Sequence, residues 1–217
     1  MTEQNFKAMR RAMVESQLRT NDVNDVAVIE AVLAEPRELH VPPARRGSAY
    51  IDRAVPLADG RALNPPLATA RLIVELAPQA GERVLLIGSA TGYAAALLAR
   101  LGCDVVAVEE SAALVDIARA ALGDRPGITL VTAPLAAGHA AGAPYDILFV
   151  DGAVEVLGEG LIDQLKIGGR AGFARSERGV TRLCSGVRTA GGFGARAFSD
   201  SEAVILPGFA KPKSFTF

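Results

Sequence analysis

The sequence predicts an α/β fold, with a doubly wound and mostly parallel sheet, an N-terminal helical extension and C-terminal antiparallel strands. From residue 81 onward, short uninterrupted apolar runs alternate with helical segments rich in alanine and leucine. Such runs are typical of parallel strands that helices cover on both faces. In addition, 50% of the 217 residues are hydrophobic and the formal net charge is −1. These values favour a sizeable packed core and exclude intrinsic disorder for most of the chain.

The N-terminal part of the chain is predicted to be helical. Apolar side chains recur at helical spacing through residues 14–33. Asn21 and Asp22 interrupt this pattern and are expected to cap the second helix. Pro36 ends that helix, because the residue before a proline avoids the α region. A further helix that begins with proline is predicted over residues 66–76.

The rest of the chain carries the alternation of strands and helices. Parallel strands are predicted at residues 83–87, 104–108, 128–132, 145–150 and 170–174. Helices are predicted at residues 93–101, 112–122 and 157–165. Strand-like segments that would close the sheet with antiparallel edges are residues 181–187, 195–198 and 203–206, and a tail is expected at residues 211–217. We expect residues 1–80 to pack on a core of residues 81–217, as one structural domain overall.

Charge and cysteine content exclude several classes of function. The 23 Lys and Arg residues balance 24 Asp and Glu residues, so neither a nucleic acid nor a membrane is predicted as a partner. The sequence has no secretory signal and no apolar run long enough to span a membrane, and a cytoplasmic location is expected. Cys103 and Cys184 fit no metal-ligand spacing, so no metal is predicted and both are expected to be buried thiols. His40 and His139 are expected to be surface or satisfied core histidines.

A glycine-containing loop between the first core strand and its helix is the candidate cofactor site. Its residues are Gly88, Ser89, Ala90, Thr91 and Gly92. Glycine at such a junction permits close approach of the backbone to a ligand. Glu109 ends the next predicted strand, where a carboxylate can accept hydrogen bonds from a ribose diol. Because ligands bind beyond the carboxyl ends of parallel strands, the pattern predicts a nucleoside-cofactor site. The alternative is that the two glycines only form a tight turn.

The loop sequence also limits the choice of cofactor. Ala90 occupies the middle glycine of the dinucleotide fingerprint, and no lysine follows Gly92 as a phosphate-binding loop would require. S-adenosylmethionine, which has no phosphates, therefore suits this loop better. Asp151 ends the fourth predicted strand and is a further candidate to face the cofactor, with helix or turn capping as the alternative.

Several segments spread along the chain carry a family resemblance. They are residues 13–18 (MVESQL), 34–42 (AEPRELHVP), 49–53 (AYIDR), 60–66 (GRALNPP), the loop at 88–92, 144–146 (PYD) and 164–170 (QLKIGGR). In order and spacing they resemble the protein-L-isoaspartate O-methyltransferases. The resemblance implies a Rossmann-like class I methyltransferase fold with S-adenosylmethionine as methyl donor. It also implies a protein or peptide substrate, namely an isoaspartyl carboxylate in damaged protein, with residues 1–80 on the substrate side.

The resemblance also assigns site residues and exposes departures from the family pattern. Where the family usually has a serine that helps hold the acceptor carboxylate, this chain has Asn64, whose amide is the candidate replacement at the catalytic position. Leu86 stands where the family usually has glutamate. Pro134 and Leu135 belong to the adenine-side turn, where Pro134 replaces an aspartate and offers no acceptor of its own beyond its carbonyl. The residues Tyr50, Asp52 and Arg53 are candidates to line the cleft.

Three functional hypotheses follow from these residues. The first, an isoaspartyl methyltransferase, is favoured because an ionised carboxylate and an activated sulfonium need placement more than a general base. The second is a methyltransferase with a different acceptor, because Ala62 and Asn64 depart from the family pattern. The third is a non-enzymatic cofactor-binding module, because Leu86 and Pro134 have lost polar contacts.

Overall fold

The computed structural model describes residues 5–211 and shows an α/β architecture around a seven-stranded sheet. The helices are α1 (Phe6–Met13), α2 (Val26–Ala34), α3 (Pro66–Leu76), α4 (Tyr93–Arg100), α5 (Ala112–Leu122) and α6 (Glu159–Ile162). The strands are β1 (Val55–Pro56), β2 (Ala62–Leu63), β3 (Arg83–Ile87), β4 (Asp104–Glu109), β5 (Ile128–Thr132), β6 (Tyr145–Val154), β7 (Leu165–Glu177), β8 (Val180–Thr189) and β9 (Gly192–Asp200). The predicted fold class is confirmed.

The order of strands places a ligand-binding edge at the centre of the sheet. The order is β5-β4-β3-β6-β7-β8-β9, and the first five of these strands run parallel. β8 pairs antiparallel with β7, and β9 pairs antiparallel with β8, as predicted for the C-terminal part. The chain leaves β3 toward β4 on one side and returns with β6 on the other, so the strand order reverses between β3 and β6. Open α/β sheets bind ligands beyond the carboxyl ends of the strands at such a reversal.

The central strand β3 is buried on both faces, as its uninterrupted apolar sequence predicts. Val84 and Leu86 pack into one apolar cluster, and Leu85 and Ile87 into another on the opposite face. Side chains alternate along a strand, so four consecutive apolar residues serve two layers. Cys103 and Cys184 are both free and buried. Both cysteines were predicted to be buried thiols, and this is confirmed.

The N-terminal region packs into the same core as the sheet. After α1 the chain continues through a π-helical turn (Val14–Leu18), and the side chains of Val14 and Leu18 join the cluster that contains Leu86. The expected cap of α2 was wrong. Asp25 caps this helix, since its carboxylate accepts from the Val28 N–H at 3.0 Å, whereas Asp22 adopts a left-handed conformation that ends the preceding turn.

Two C-terminal elements differ from their predictions. The helix predicted at residues 157–165 is only the four-residue α6, because the chain already joins β7 at Leu165. The segment 203–206 is no strand of the sheet. It makes a single parallel bridge, between Ile205 and Ala153 of β6. Residues 212–217 of the expected tail lie outside the described part of the chain. Within residues 5–211, no helix has the length and apolar character to cross a membrane.

Candidate functional site

The loop after β3 turns sharply at the carboxyl edge of the sheet. Gly88, Ala90 and Gly92 have left-handed backbone angles, with φ of 76°, 48° and 87°. The N–H groups of Gly88 and Ser89 both donate to the Val108 carbonyl, at 3.0 and 3.1 Å, and this pins the loop against the end of β4. Glycine adopts positive φ without steric cost, and this explains its presence at both ends of the loop. The two glycines thus form a tight turn, as the alternative interpretation predicted. This turn lies at the edge of the sheet where a ligand site is expected.

Glu109 lies beside this loop, at the carboxyl end of β4, and is fully buried. Its Oε2 accepts from the Ala90 N–H at 2.9 Å. Its Oε1 accepts from the backbone N–H groups of Glu110 and Ser111, at 3.0 and 3.2 Å, and from Nη1 of Arg61. The structure therefore brings the predicted loop and the predicted acid together. Oε1 carries three donors and Oε2 only one, so Oε2 retains acceptor capacity.

Arg61 is the site residue that the sequence analysis did not single out. It follows the β1–β2 turn and is only 6% exposed. Its Nη1 donates to Glu109, while Nε and Nη2 are buried and have no hydrogen-bond partner among the described residues. The Oγ atom of Ser89 is likewise buried without a partner in residues 5–211. Buried polar atoms are normally paired, so these atoms identify the polar surface available to a ligand.

The C-terminal segment covers the loop. A Cβ atom on Gly88 would lie 2.9 Å from Leu206 Cδ1, and one on Gly152 would lie 2.6 Å from Leu206 Cγ. The segment is held by two hydrogen bonds to β6, from Ala153 N–H to the Val204 carbonyl at 2.6 Å and from Leu206 N–H to the Ala153 carbonyl at 2.9 Å. The Leu206 side chain and Arg61 together form the cover over this edge of the sheet.

Asn64 and Asp151 form a buried pair next to this cover. The Asn64 Nδ2 donates to Asp151 Oδ1 at 3.0 Å, and its Oδ1 accepts from the Val204 N–H at 3.0 Å. The hydroxyl of Thr69 also donates to Asp151 Oδ1, at 2.8 Å. Burial raises the pKa of Asp151, although these two hydrogen bonds act in the opposite direction. Asp151 thus orients the Asn64 amide, which keeps one N–H for a further acceptor.

The remaining predicted residues lie on either side of the loop. Pro134 and Leu135 follow the end of β5 next to Glu109, whose carbonyl accepts from the Ala133 N–H at 3.2 Å. Pro134 is exposed and Leu135 is buried, and neither side chain has a polar atom. Leu86 is buried in the apolar layer of β3. These three positions therefore contribute no polar side-chain atom to this edge of the sheet.

Two of the residues expected to line the cleft, Tyr50 and Asp52, have hydrogen-bond partners within the fold. The Tyr50 hydroxyl donates to Glu38 and accepts from Nε of Arg10. These contacts link helix α1 to the segment between α2 and α3. Asp52 accepts from the Leu67 N–H at 3.3 Å, in the first turn of α3. Packing of the N-terminal region, which local sequence does not reveal, accounts for both contacts.

A second buried polar cluster contacts the loop at Thr91. His40 is fully buried, with Nδ1 at 2.8 Å from the Thr91 carbonyl and Nε2 at 2.9 Å from Glu35 Oε1, and the expected satisfied core histidine is confirmed. The Glu35 Oε2 accepts from Nε of Arg100 at 2.8 Å and from Nη1 of Arg125 at 2.7 Å. Burial alone would raise the pKa of Glu35, but these partners lower it to about 2.

The sequence and the fold both have relatives. The family described as Protein-L-isoaspartate(D-aspartate) O-methyltransferase (PCMT) matches residues 8–173. A protein-L-isoaspartate O-methyltransferase of Methylorubrum extorquens is 43% identical over 164 residues, which are 74% of this chain and 71% of the relative. Protein-L-isoaspartate O-methyltransferase 1 of Rhodopseudomonas palustris is 37% identical over 184 residues, which are 82% of this chain and 75% of the relative.

Two solved structures share the fold at low sequence identity. A protein-L-isoaspartate O-methyltransferase superposes with a TM-score of 0.79 at 23% identity, over 92% of this chain and 66% of that protein. A Plasmodium falciparum structure described as a β-aspartate methyltransferase in complex with S-adenosyl-L-homocysteine gives a TM-score of 0.78 at 18% identity, over 94% of this chain and 99% of that one.

Proposed function

This chain belongs to the protein-L-isoaspartate O-methyltransferase family, and we propose that its covered edge at the ends of β3, β4 and β6 carries out methyl transfer from S-adenosylmethionine to an isoaspartyl carboxylate. As a member it is an S-adenosylmethionine-dependent methyltransferase. The observation that carries the assignment of this site is Glu109, which is buried at the end of β4 and bonded to the Ala90 N–H of the loop. A carboxylate in this position is suited to a ribose diol.

The residues present fit this cofactor. Glu109 retains acceptor capacity on Oε2, and the buried Ser89 hydroxyl has no partner within residues 5–211. Arg61 offers two further buried N–H groups beside the loop. The Leu206 side chain of the cover can rotate, so we expect binding to displace it without a change of fold.

The proposed mechanism uses placement and exclusion of water. The cofactor supplies a methyl group already activated on a sulfonium, and orientation alone can contribute about 7–11 kcal/mol to such a transfer. The free carboxyl of an isoaspartyl residue is an α-carboxyl with an ordinary pKa of about 3.3–3.7, so it is ionised at pH 7 and no side chain has to remove a proton. Asn64 is fixed by Asp151 and would donate its second amide N–H to the acceptor carboxylate. The segment 203–206 keeps water from this edge of the sheet.

Labelled methyl transfer tests this function. The wild-type protein should label a peptide that contains an isoaspartyl residue and leave the matching aspartyl peptide unlabelled. Glu109→Gln should abolish most of the transfer, whereas Glu110→Gln, a change in the neighbouring exposed side chain, should preserve it. Equal labelling of both peptides, or transfer that survives Glu109→Gln, would contradict the proposal.

One observation favours a second candidate function, methyl transfer to a different acceptor. The Asn64 amide is already bonded at both ends, to Asp151 and to the Val204 N–H, so it is less free than a serine hydroxyl to follow an acceptor. A methyltransferase on another carboxylate would turn over the donor with a cell extract and fail with the isoaspartyl peptide. A binding module would bind S-adenosylhomocysteine and show neither reaction. A cytoplasmic location remains a prediction from the sequence.

A further inference from the structure

The guanidinium of Arg61 uses only one of its three nitrogens. Nη1 donates to the Glu109 carboxylate, while Nε and Nη2 have no partner among residues 5–211. The N–H of Nε and one N–H of Nη2 point in the same direction from one edge of the guanidinium plane. This edge is the fork that binds a carboxylate through two parallel hydrogen bonds.

The fork of Arg61 lies at the cofactor loop and has little mobility at its base. Nη2 is 3.6 Å from the position that a Cβ atom on Gly88 would occupy. The Arg61 backbone is fixed by the β1–β2 turn, since its carbonyl accepts from the Leu57 N–H and its N–H donates to the Ala58 carbonyl, both at 2.9 Å. The side chain is 5% exposed, so water does not replace the two unmade hydrogen bonds.

A role for Arg61 as counter-ion of Glu109 alone does not explain this arrangement. Glu109 already accepts three backbone N–H groups, from Ala90, Glu110 and Ser111. A buried cation with two of its three nitrogens unpaired is unfavourable unless a ligand completes it. The ligand that matches two parallel N–H donors with positive charge is a carboxylate.

We propose that the Nε–Nη2 edge of Arg61 is a carboxylate-binding subsite beside Gly88, which a substrate carboxylate occupies while Nη1 remains on Glu109. This proposal rests on the methyltransferase function proposed above. The reaction offers two carboxylates, the amino-acid carboxylate of the donor and the isoaspartyl carboxylate of the acceptor. Either one would form the same two charge-assisted hydrogen bonds with Arg61.

Calorimetry with two nucleosides separates the donor from the acceptor. S-adenosylhomocysteine carries the amino-acid carboxylate, and 5′-methylthioadenosine shares its nucleoside and thioether but lacks that group. If the donor carboxylate occupies the fork, Arg61→Gln should lower the affinity for S-adenosylhomocysteine by about 10- to 100-fold. The affinity for 5′-methylthioadenosine should fall much less. Arg61→Lys keeps the charge and loses the fork, so its affinity for S-adenosylhomocysteine should lie between those of the wild type and Arg61→Gln.

If the acceptor occupies the fork, both nucleosides should bind Arg61→Gln as they bind the wild type. An isoaspartyl peptide, titrated into the S-adenosylhomocysteine complex, should then lose about 10- to 100-fold in affinity. A matched peptide in which the free α-carboxyl of the isoaspartyl residue is a neutral carboxamide should bind both proteins equally. Arg182→Gln, a change at an exposed arginine paired with Asp200, should alter none of these affinities.

The proposal is overturned if Arg61→Gln, shown to be folded by circular dichroism, changes none of the three affinities. It is also overturned if the affinities for both nucleosides fall equally in Arg61→Gln, because Arg61 would then act only through Glu109. A wild-type protein that binds neither nucleoside would overturn the methyltransferase site itself. Failure of the subsite and failure of the proposed function are therefore distinguishable.

Discussion

Two buried glutamates hold the same loop, and they differ in whether all of their partners' polar atoms are paired. Glu35 acts through His40, which reaches the Thr91 carbonyl, and Glu109 accepts directly from the Ala90 N–H. Glu35 has three side-chain donors in contact with it, two of them arginines that each pair with it closely. Glu109 has a single arginine, whose remaining nitrogens are unpaired in the described chain. A closed network fits a structural role, and an open one fits a ligand site.

Solvent contact separates the two sites as well. The side chains of Arg100 and Arg125 are 33% and 22% exposed, so each cation keeps part of its hydration while it pairs with Glu35. The side chain of Arg61 is 5% exposed and has no such contact. The comparison teaches that the number of charges in a buried cluster matters less than whether each polar atom has a partner.

Glu35→Gln should give the largest effect on folding. Glutamine keeps one oxygen but loses the negative charge and the second acceptor oxygen, so His40 or the pair Arg100 and Arg125 loses its acceptor. We expect the free energy of unfolding to fall by about 3–5 kcal/mol, measured by urea denaturation. Asp200→Asn, which breaks an exposed pair with Arg182, is the control and should cost less than about 1 kcal/mol. Equal losses of unfolding free energy in the two variants would show that the Glu35 cluster stabilises the fold no more than an exposed ion pair does.

The pH dependence of folding follows from the same carboxylate. The pKa of Glu35 is lowered to about 2 in the folded protein, from an ordinary value near 4.5. Its contribution to stability is therefore complete above about pH 4.5 and is lost as the pH falls toward 2. In urea titrations, the wild type should lose more stability across this window than Glu35→Gln. Parallel pH profiles of the two proteins would show that Glu35 does not carry the effect.

Glu109→Gln should act mainly through the ligand. S-adenosylhomocysteine at 100 times its Kd should raise the free energy of unfolding of the wild type by about 2.7 kcal/mol. This ligand-dependent gain should be lost in Glu109→Gln and kept in Glu110→Gln. Thermal denaturation with and without the ligand provides the measurement. A Glu109→Gln protein that retains the full gain would place the nucleoside elsewhere.

His40→Phe tests how the closed cluster is connected to the loop. The substitution leaves the Thr91 carbonyl and one Glu35 oxygen without a donor, which should cost about 1–3 kcal/mol of stability. It should also weaken S-adenosylhomocysteine binding modestly, because the loop loses a support. His139→Phe, at the second histidine of the chain, is the control. Loss of stability with unchanged ligand affinity would confine His40 to folding.

Much of the fold is predictable because its signals are local. The bounds of α3, α5, β3 and β5 match the prediction to the residue, since each begins or ends near glycine, proline or a charged residue that interrupts an apolar run. The α6 helix and the segment 203–206 were less predictable, because packing against β6 and β7 decides their conformation.

The site was only partly predictable for a similar reason. The loop and Glu109 belong to a strand–turn–helix pattern that is visible in the sequence. Arg61 is far from Glu109 along the chain, and no local pattern indicates that the β1–β2 turn lies over the end of β4. The contact between His40 and Thr91 is equally distant in sequence.

The position of segment 203–206 has a consequence for the order in which the protein matures. The ribosome releases this segment after every strand of the sheet has been synthesised, and its pairing with Ala153 closes a long loop. A nascent chain that ends before residue 203 therefore has its sheet but exposes Gly88 and Gly152 to solvent. The Leu206 part of the cover is therefore added last, and a chain without residues 203–206 leaves this edge of the sheet open to water.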